Sequence, residues 1–525
     1  MDNKQFEKYN SIPKEKFSFT QNATSIHDQK FDTKPVGYLR DAFNRFKKNK
    51  ASLVAAIIIL LLVLYAIVGP WFMSKDFTDS YQTEKYLVQY KELLPRLKFL
   101  DGTGIWDGSK KVDINKNALL RYQGMAIETG YNPVQKLYKT YTTKDAETGK
   151  DVEMYTVRLN TYYACSAFML TLTEEQYRDM QQWQDENHVQ VILPRANNPV
   201  NNTTSVRMPD VWYNCDSKGN AKLDSEGNLV PSYATSGYDD YTSIMRLEDD
   251  PYNSGNETGR WRYAQRTGKA STGYSYKVRV SAYNYFQYRY GFEPSFAFGS
   301  DSKGYDIFTR LAGGARFSFL LAIVVSAINL TIGAIYGAIE GYYGGATDMV
   351  MERISDILSG VPFMVVTVLF QLHLASKVGV VGSLIYAFIL TGWIGMASRV
   401  RMQFYRFKNQ EYVLAARTLG AKDGRIIWKH IFPNTLGTII TGTILVIPGV
   451  IFSETSLSYL GIINLDSPTM SSVGSMLSAG QDVMTKSPHV VFFPALFISL
   501  LEISFNLFGN GLRDAFNPSL RGVEE

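Results

Sequence analysis

Three ionisable side chains stand inside long apolar runs: His373, Glu454 and Glu502. A carboxylate in lipid is costly to hold, so it faces a cavity, a water-filled path or a partner chain. It can line a solute route or act as a buried hydrogen-bond acceptor. Glu454 lies near the outer end of its run, where a structural hydrogen-bonding role weighs at least as much as substrate contact. Glu502 faces either the pathway or a partner subunit. Pro448-Gly449 marks a kink that can serve gating; it and Asn329 also have plain packing readings.

Other chemistry is missing from the sequence. No Gly-x-x-x-x-Gly-Lys-Ser/Thr loop occurs, so the chain does not hold ATP by that route. Neither a Gly-x-Ser-x-Gly elbow nor a His-Glu-x-x-His pair is present. Asp216, Asn220, Asp224 and Asn228 lack calcium-loop spacing and fit hairpin turns better. The five histidines are scattered. The two cysteines, Cys165 and Cys215, both fall in a polar stretch. A disulfide between them, contributing ~4 kcal/mol in the chain-entropy picture, and two separate thiols are equally open.

Energy for any transport must therefore enter from a partner. The segment suited to receive it is Glu411-Tyr412-Val413-Leu414-Ala415-Ala416-Arg417-Thr418-Leu419-Gly420-Ala421, continuing to His430-Ile431-Phe432-Pro433. It is a basic loop between two apolar runs, and such loops collect on the cytoplasmic side. Ala416 and Gly420 lie about one helical turn apart on a short helix that a partner can approach closely. Pro433 is expected to stop the following short helix before the next apolar span.

Small-small-x-x-x-Gly, with Pro433 thirteen places beyond Gly420, resembles the EAA signature of bacterial ABC-importer permeases, in the wording of the OppC/DppC type. Leu414 replaces the family's Glu, and His430 and Phe432 replace its usual Ile and Leu. Arg40-Asp41-Ala42-Phe43, Gly299 to Leu311 and Gly509 to Asp514 are similar to other segments of that family, as is Ser453 to Gly461. The resemblance implies a coupling helix that seats in a groove of a cytoplasmic ATPase. Ala415, Ala416, Gly420 and Ala421 would allow the close approach, while Arg417, Leu419 and Asp423 would complete the contact. It further implies an OppB-like second permease, two OppD/OppF-like ATPases carrying ATP and Mg, and an OppA-like extracellular peptide-binding lipoprotein. This chain would bind no cofactor or metal and catalyse nothing; oligopeptide would be its solute. Nickel or another small solute is the alternative within the family. A membrane-anchored surface sensor or enzyme, working through its insert, is the alternative outside it.

The elements that must position these residues follow from hydropathy. The chain has 525 residues and a net charge of +5. Its mean hydropathy is slightly negative, because it averages apolar spans with a long polar stretch. The cations flank apolar spans, which favours membrane orientation over nucleic-acid binding. Residues 1–35 read as a flexible cytoplasmic tail. Residues 36–50 form an interfacial helix with Leu39, Ala42, Phe43 and Phe46 on one face. Ala51–Met73 is uncharged and reaches roughly 34 Å, enough to span a bilayer. Its length and the absence of a cleavage site exclude a signal peptide.

Residues 76–300 then form an extracellular α+β insert of about 220 residues, large enough for its own core. Within it Glu84–Leu100 reads as a helix. Glu153–Asn160, Tyr163–Thr171, Val189–Leu193 and Tyr274–Tyr290 read as strands, and Asp216–Pro231 as a hairpin. Thr173 and Gln176 frame a capping box that opens a helix to about Asn187. The permease core, 301–521, carries helices 2–6 at Phe317–Ile339, Gly360 to about Ala375, Val378–Ala397, Thr435–Leu457 and Val490 to about Phe508. The coupling loop lies at about 399–433. Asp348 is expected to cap the helix carrying Glu352, Arg353 and Asp356. The fold class is an all-α polytopic membrane protein with six transmembrane helices of the type I ABC importer permease fold. The α+β domain is inserted between helices 1 and 2, and both termini are cytoplasmic.

Overall fold

The computed structural model describes residues 38–71, 87–144, 149–193, 197–198, 203–204, 222–227, 265–269, 273–467 and 470–516. Helix α1, Tyr38–Lys48, divides its apolar residues. Ala42 and Phe46 are buried, with Phe46 edge-on to Phe508 at 5.4 Å, whereas Phe43 is exposed. Asn49 then caps Ser52 N and opens α2, Lys50–Val68. A mostly apolar all-round sequence makes α2 bury little within the chain, as expected of a helix with lipid on one side.

Among the described residues the insert holds two principal antiparallel sheets. β1 (Ser109–Asn115), β2 (Val134–Lys144) and β3 (Asp151–Asn160) form one in the order β1-β3-β2, with Val112 opposite Val157 and Ile114 opposite Tyr155. Alternation along these strands turns Ile114, Val157 and Leu159 toward helix α3, Lys116–Thr129. The second sheet joins β4 (Ala167–Thr173), β5 (Ile192–Leu193), β8 (Gln265–Lys269) and β9 (Gly273–Ser281), with β9 pairing each of the other three. The short pair β6 (Asn197–Asn198) and β7 (Thr203–Thr204) lies apart. The Thr173–Gln176 capping box opens α4, Glu174–Asn187. Tyr177 of α4 stacks on Tyr276 of β9 at 4.5 Å.

Three insert readings need correction. Glu84–Leu100 is not a helix. Where described it runs extended with 3-10 turns at Leu87–Tyr90 and Lys98–Leu100, because its amides pair across the domain: Glu92 N to Asp301 O and Arg96 N to Phe296 O. Pro95 would also interrupt a helix there. The strand expected over Tyr163–Thr171 starts only at Ala167, after a turn in which Asn160 Oδ1 accepts from Tyr162 N and Tyr163 N. Tyr274–Tyr290 is a strand only to Ser281. That serine caps Asn284 N and starts α5, Ala282–Tyr290, which buries Tyr283 and Phe286 at helical spacing. The Asp216–Pro231 hairpin lies outside the described residues except for 222–227. β1, α3 and β2 were not anticipated.

Asp306 caps α6, Ile307–Tyr343, by accepting from Phe308 N and Thr309 N. Next come α7 (Gly345–Ser359), α8 (Phe363–Gly392) and α9 (Ile394–Phe407). Asp348 does not cap α7. Gly344 takes that position, and Asp348 instead binds Arg401. Gly333, Gly337 and Gly341 recur every fourth residue along α6 where it meets α9. A methyl group at Gly337 would collide with the Ala397 carbonyl, so the two backbones touch as small-residue seams allow.

α8 is not one straight rod. Gly379 has φ 79° and ψ 164°, and the Phe363 and Phe388 rings lie 4.9 Å apart. Twenty-five residues of continuous helix would separate them by roughly 37 Å. The chain therefore doubles back at Gly379, and Gln371 Nε2 donates to Val380 O across the turn.

After α10 (Glu411–Thr418), residues Ile426–Ile431 form a wide π turn leading straight into α11, Phe432–Ile444. Pro433 thus opens a helix rather than stopping one. It needs no amide partner in a first turn, and the widened turn receives its ring. α12 (Val446–Tyr459), α13 (Val473–Gly480) and α14 (His489–Phe516) follow. The break between α11 and α12 lies at Leu445, where Pro448 withholds the amide that Ile444 O would accept. Among the described residues five helical stretches are long and apolar enough to cross a membrane: Lys50–Val68, Ile307–Tyr343, Phe363–Phe407, Asp423–Tyr459 and His489–Phe516.

Candidate functional site

The α10 loop has a buried root and a bare tip. Val413 is fully buried among Tyr342, Val400, Phe404, Ile426 and Ile431. On the opposite side Leu419 is 88% exposed. Gly420 has φ 81°, Gly420 N donates to Arg417 O, and Ala421 N donates to Ala416 O. Those two bonds are a Schellman cap, which puts a left-handed residue just past the helix. Gly420 is therefore required by backbone conformation; it does not sit on the helix face. Ala415 is exposed, while Ala416 and Ala421 are half-buried. Arg417 lies 5.8 Å above the Tyr342 ring, and Asp423 accepts from the Tyr342 hydroxyl at 2.6 Å. Asn434 Nδ2 donates to Tyr412 Oη at 3.1 Å.

A second set of contacts fixes the helices that carry this loop. Arg401 binds both oxygens of Asp348, at 2.6 and 2.9 Å, and reaches Glu352 at 3.0 Å and Glu340 at 3.6 Å. Lys408 Nζ donates to Gly341 O at 2.9 Å, and Arg399 donates to Gly442 O at 3.2 Å. The cations flanking the loop thus brace α6, α7, α9 and α11 against each other. The Tyr342–Asp423 bond ties the loop to the helices so braced. Tyr342 escaped the sequence reading because nothing local to it signals a partner eighty residues away.

The apolar-run residues do not converge. Glu454 is fully buried and accepts from Ser318 Oγ at 2.9 Å and Ser458 Oγ at 3.0 Å, linking α12 to α6. Glu502 is half-buried on α14, with Oε1 shielded and without a hydrogen-bond partner among the described residues. His373 is exposed, its Nδ1 2.9 Å from Leu369 O in the same helix. Asn329 is buried where α6 meets α8, its Nδ2 3.5 Å from Phe388 O. Pro448 is buried in α12. Cys165 is a free, buried thiol, pushed up to about 12 by burial, and Cys215 lies outside the described residues.

The insert is seated on the helices at several points. Lys486 Nζ and Ser487 Oγ both lie 3.1 Å from Glu92 Oε2. Burial works against the ionised Glu92, but these two partners outweigh it and hold the carboxyl below its usual range. His489 Nε2 lies 3.3 Å from Ser300 O. Asp466, in the segment before α13, pairs with Lys303 and Arg310.

A family model described as binding-protein-dependent transport system inner membrane component matches residues 329–522. Another, the N-terminal TM domain of oligopeptide transport permease C, matches residues 37–92. The oligopeptide transport system permease protein OppC of Bacillus subtilis is 45% identical over 43% of this chain and 72% of its own length. The dipeptide transport system permease protein DppC of the same organism is 43% identical over 43% of this chain and 69% of its own. OppC of Haemophilus influenzae is 43% identical over 43% and 70%. Among solved structures, a chain of the MetNI methionine ABC transporter in an inward-facing conformation aligns with TM-score 0.34 and 14% identity, over 40% of this chain and 96% of that one.

Proposed function

The chain belongs to the family of binding-protein-dependent transport system inner membrane components, of the OppC/DppC type, and from that premise we propose that it carries oligopeptides across the cell membrane as one permease subunit of an ATP-driven importer. The observation that carries this reading is the α10 loop: a bare Leu419 tip on a buried Val413 root, tied at Asp423 to α6. A tip exposed in the isolated chain and rigidly joined to spanning helices suits a lever seated in an ATPase groove. When two ATPases close on ATP, the loop moves as a body and α6, α9 and α11 follow. Hydrolysis resets them. The two states must lie close in energy for ligands to shift their populations.

With the reversal at Gly379 counted, α2, α6, the two arms of α8, the α11–α12 pair and α14 make six crossings, and both termini are cytoplasmic. Lys47, Lys48 and Lys50 before α2 support that orientation. It puts the insert outside, where an OppA-like lipoprotein would deliver peptide. An OppB-like permease would complete the pathway, and OppD/OppF-like ATPases would hold ATP and Mg. This chain has the role of a translocating subunit, with catalysis on those partners. The contacts of Glu92 with Lys486 and Ser487 support a docking or lid role for the insert, since they join it to the external segment between α12 and α14.

The test is uptake of labelled oligopeptide beside labelled nickel, in cells lacking the chain and in cells with it restored. Loss and recovery of peptide uptake with nickel unchanged is the expected result. Nickel uptake that follows the chain would transfer the solute to the family's other class.

A further inference from the structure

A loop of the insert carries bare apolar side chains at the level where the spanning helices end. Arg96 and Asp107 close its base as an antiparallel bridge, and Leu97 N donates to Trp106 O at 2.7 Å. Between them Phe99 is 80% exposed, Ile105 70% and Trp106 41%. Trp106 has φ 52°, an unfavourable backbone for a bulky residue. Its indole is nonetheless held, donating from Nε1 to Ala297 O at 2.5 Å.

The level is fixed by an aromatic layer. Trp106 lies 6.1 Å from Phe493 in the first turn of α14, and Phe493 stacks on Phe298 at 4.2 Å. Phe298 in turn meets Phe308 in the first turn of α6 at 5.2 Å, and Tyr65 near the end of α2 donates to Phe308 O. One chain of aromatic contacts therefore connects three helix ends to the Trp106 loop. The neighbouring Phe492 starts an exposed stripe down α14 through Leu496, Leu500, Ile503 and Leu507. The loop extends that apolar surface outward, and Lys98, 66% exposed with its Nζ 3.5 Å from Glu293 Oε1, flanks it.

We propose that the 98–106 loop is a membrane-interface anchor, with Phe99, Ile105 and Trp106 seated in the outer leaflet and Lys98 among the headgroups. Aromatic rings with one polar atom concentrate at this depth, and a lysine stem lies along apolar surface while its ammonium reaches water. Such an anchor fixes the insert's tilt over the pathway entrance. The inference rests on the reading above that the helices span the membrane with the insert outside.

The test uses the full chain, with Cys165 and Cys215 replaced by serine, purified with its co-expressed transporter subunits in phosphatidylcholine–phosphatidylglycerol nanodiscs. A Phe99→Cys variant, and independently an Ile105→Cys variant, carries an environment-sensitive fluorophore, with Leu61→Cys on the exposed face of α2 as the depth reference. Blue-shifted emission at 99 and 105, lost with lipids bearing a shallow nitroxide and retained with a deep one, is the expected result. Leu61 should show the reverse. Emission at 99 and 105 untouched by either lipid, with Leu61 quenched, overturns the anchor and leaves the spanning reading standing; cross-linking of position 99 to a second subunit would then name the protein that covers it. Leu61 unquenched by the deep lipid overturns the spanning reading and the anchor with it.

Discussion

The hydroxyl of Tyr342 donates to Asp423 Oδ1 across 2.6 Å, tying the last turn of α6 to the loop beyond α10. It is a long-range bond between a spanning helix and the element proposed to receive force. A hydrogen bond of this kind contributes about 1 kcal/mol net, enough to change a two-state population about fivefold. Tyr342→Phe keeps the ring that packs beneath Arg417 and removes the hydroxyl, with its bond to Asp423 and its contact with Arg417. Peptide uptake should fall a few-fold with chain abundance in the membrane unchanged. Uptake equal to the parent would show that the loop is held by its Val413 root alone.

Gly420 and Leu419 separate the two uses of the loop. No heavy atom lies within 4 Å of where a Cβ at Gly420 would project, so substitution there meets only the left-handed backbone, at roughly 1–2 kcal/mol for most residues and less for Asn. Uptake should rank Gly above Asn and Asn above Val. Leu419→Asn changes no buried contact and should leave abundance alone while reducing co-purification of the ATPases. Full ATPase retention in Leu419→Asn would move the docking surface elsewhere.

The spanning stretches were legible because apolar runs of that length have one economical use, and the loop was legible through its small residues and Gly420. What the sequence concealed was pairing at a distance. Glu84–Leu100 has helix-forming residues, yet its amides are claimed by Phe296 and Asp301 some two hundred positions later. Asp348 has the chemistry of a cap, but Arg401 offers it a bidentate partner. One misreading and one omission did have local signals. The spacing of Tyr283, Phe286 and Tyr290 is helical, and a glycine at every fourth place from 333 to 341 announces a close helix seam. Gly420 was given the wrong reason, since a sequence does not display a φ of 81°.

Glu454 joins α12 to α6 through Ser318 and also accepts from Ser458 within α12. Gln can accept one of these bonds and donate to the other hydroxyl, whereas Leu leaves both without their partner, at about 1–3 kcal/mol for each buried group left unpaired. Glu454→Gln should therefore keep both abundance and uptake near the parent level, and Glu454→Leu should lower abundance. If Glu454→Gln abolishes uptake at full abundance, the carboxylate charge itself takes part in transport.

Asp306 gives the outer end of α6 a pH dependence of defined sign. Burial raises its carboxyl from 3.8 to about 6, with the Asp301 charge adding to the rise and hydrogen bonds from Thr309 and Phe308 N opposing it. The folded chain therefore binds more protons than the unfolded chain between those two values. Stability should fall as pH rises through that window and level off above it. The total effect is at most about 3 kcal/mol at 1.4 kcal/mol per unit. Asp306→Asn keeps an amide oxygen to cap α6 and removes the titrating group, so thermal unfolding of the detergent-purified chain should lose much of its slope between pH 4 and 6. Asp301, which burial also raises, against the Arg310 charge, contributes to the remainder with the same sign. An Asp306→Asn profile as steep as the parent's would assign the whole dependence to other groups.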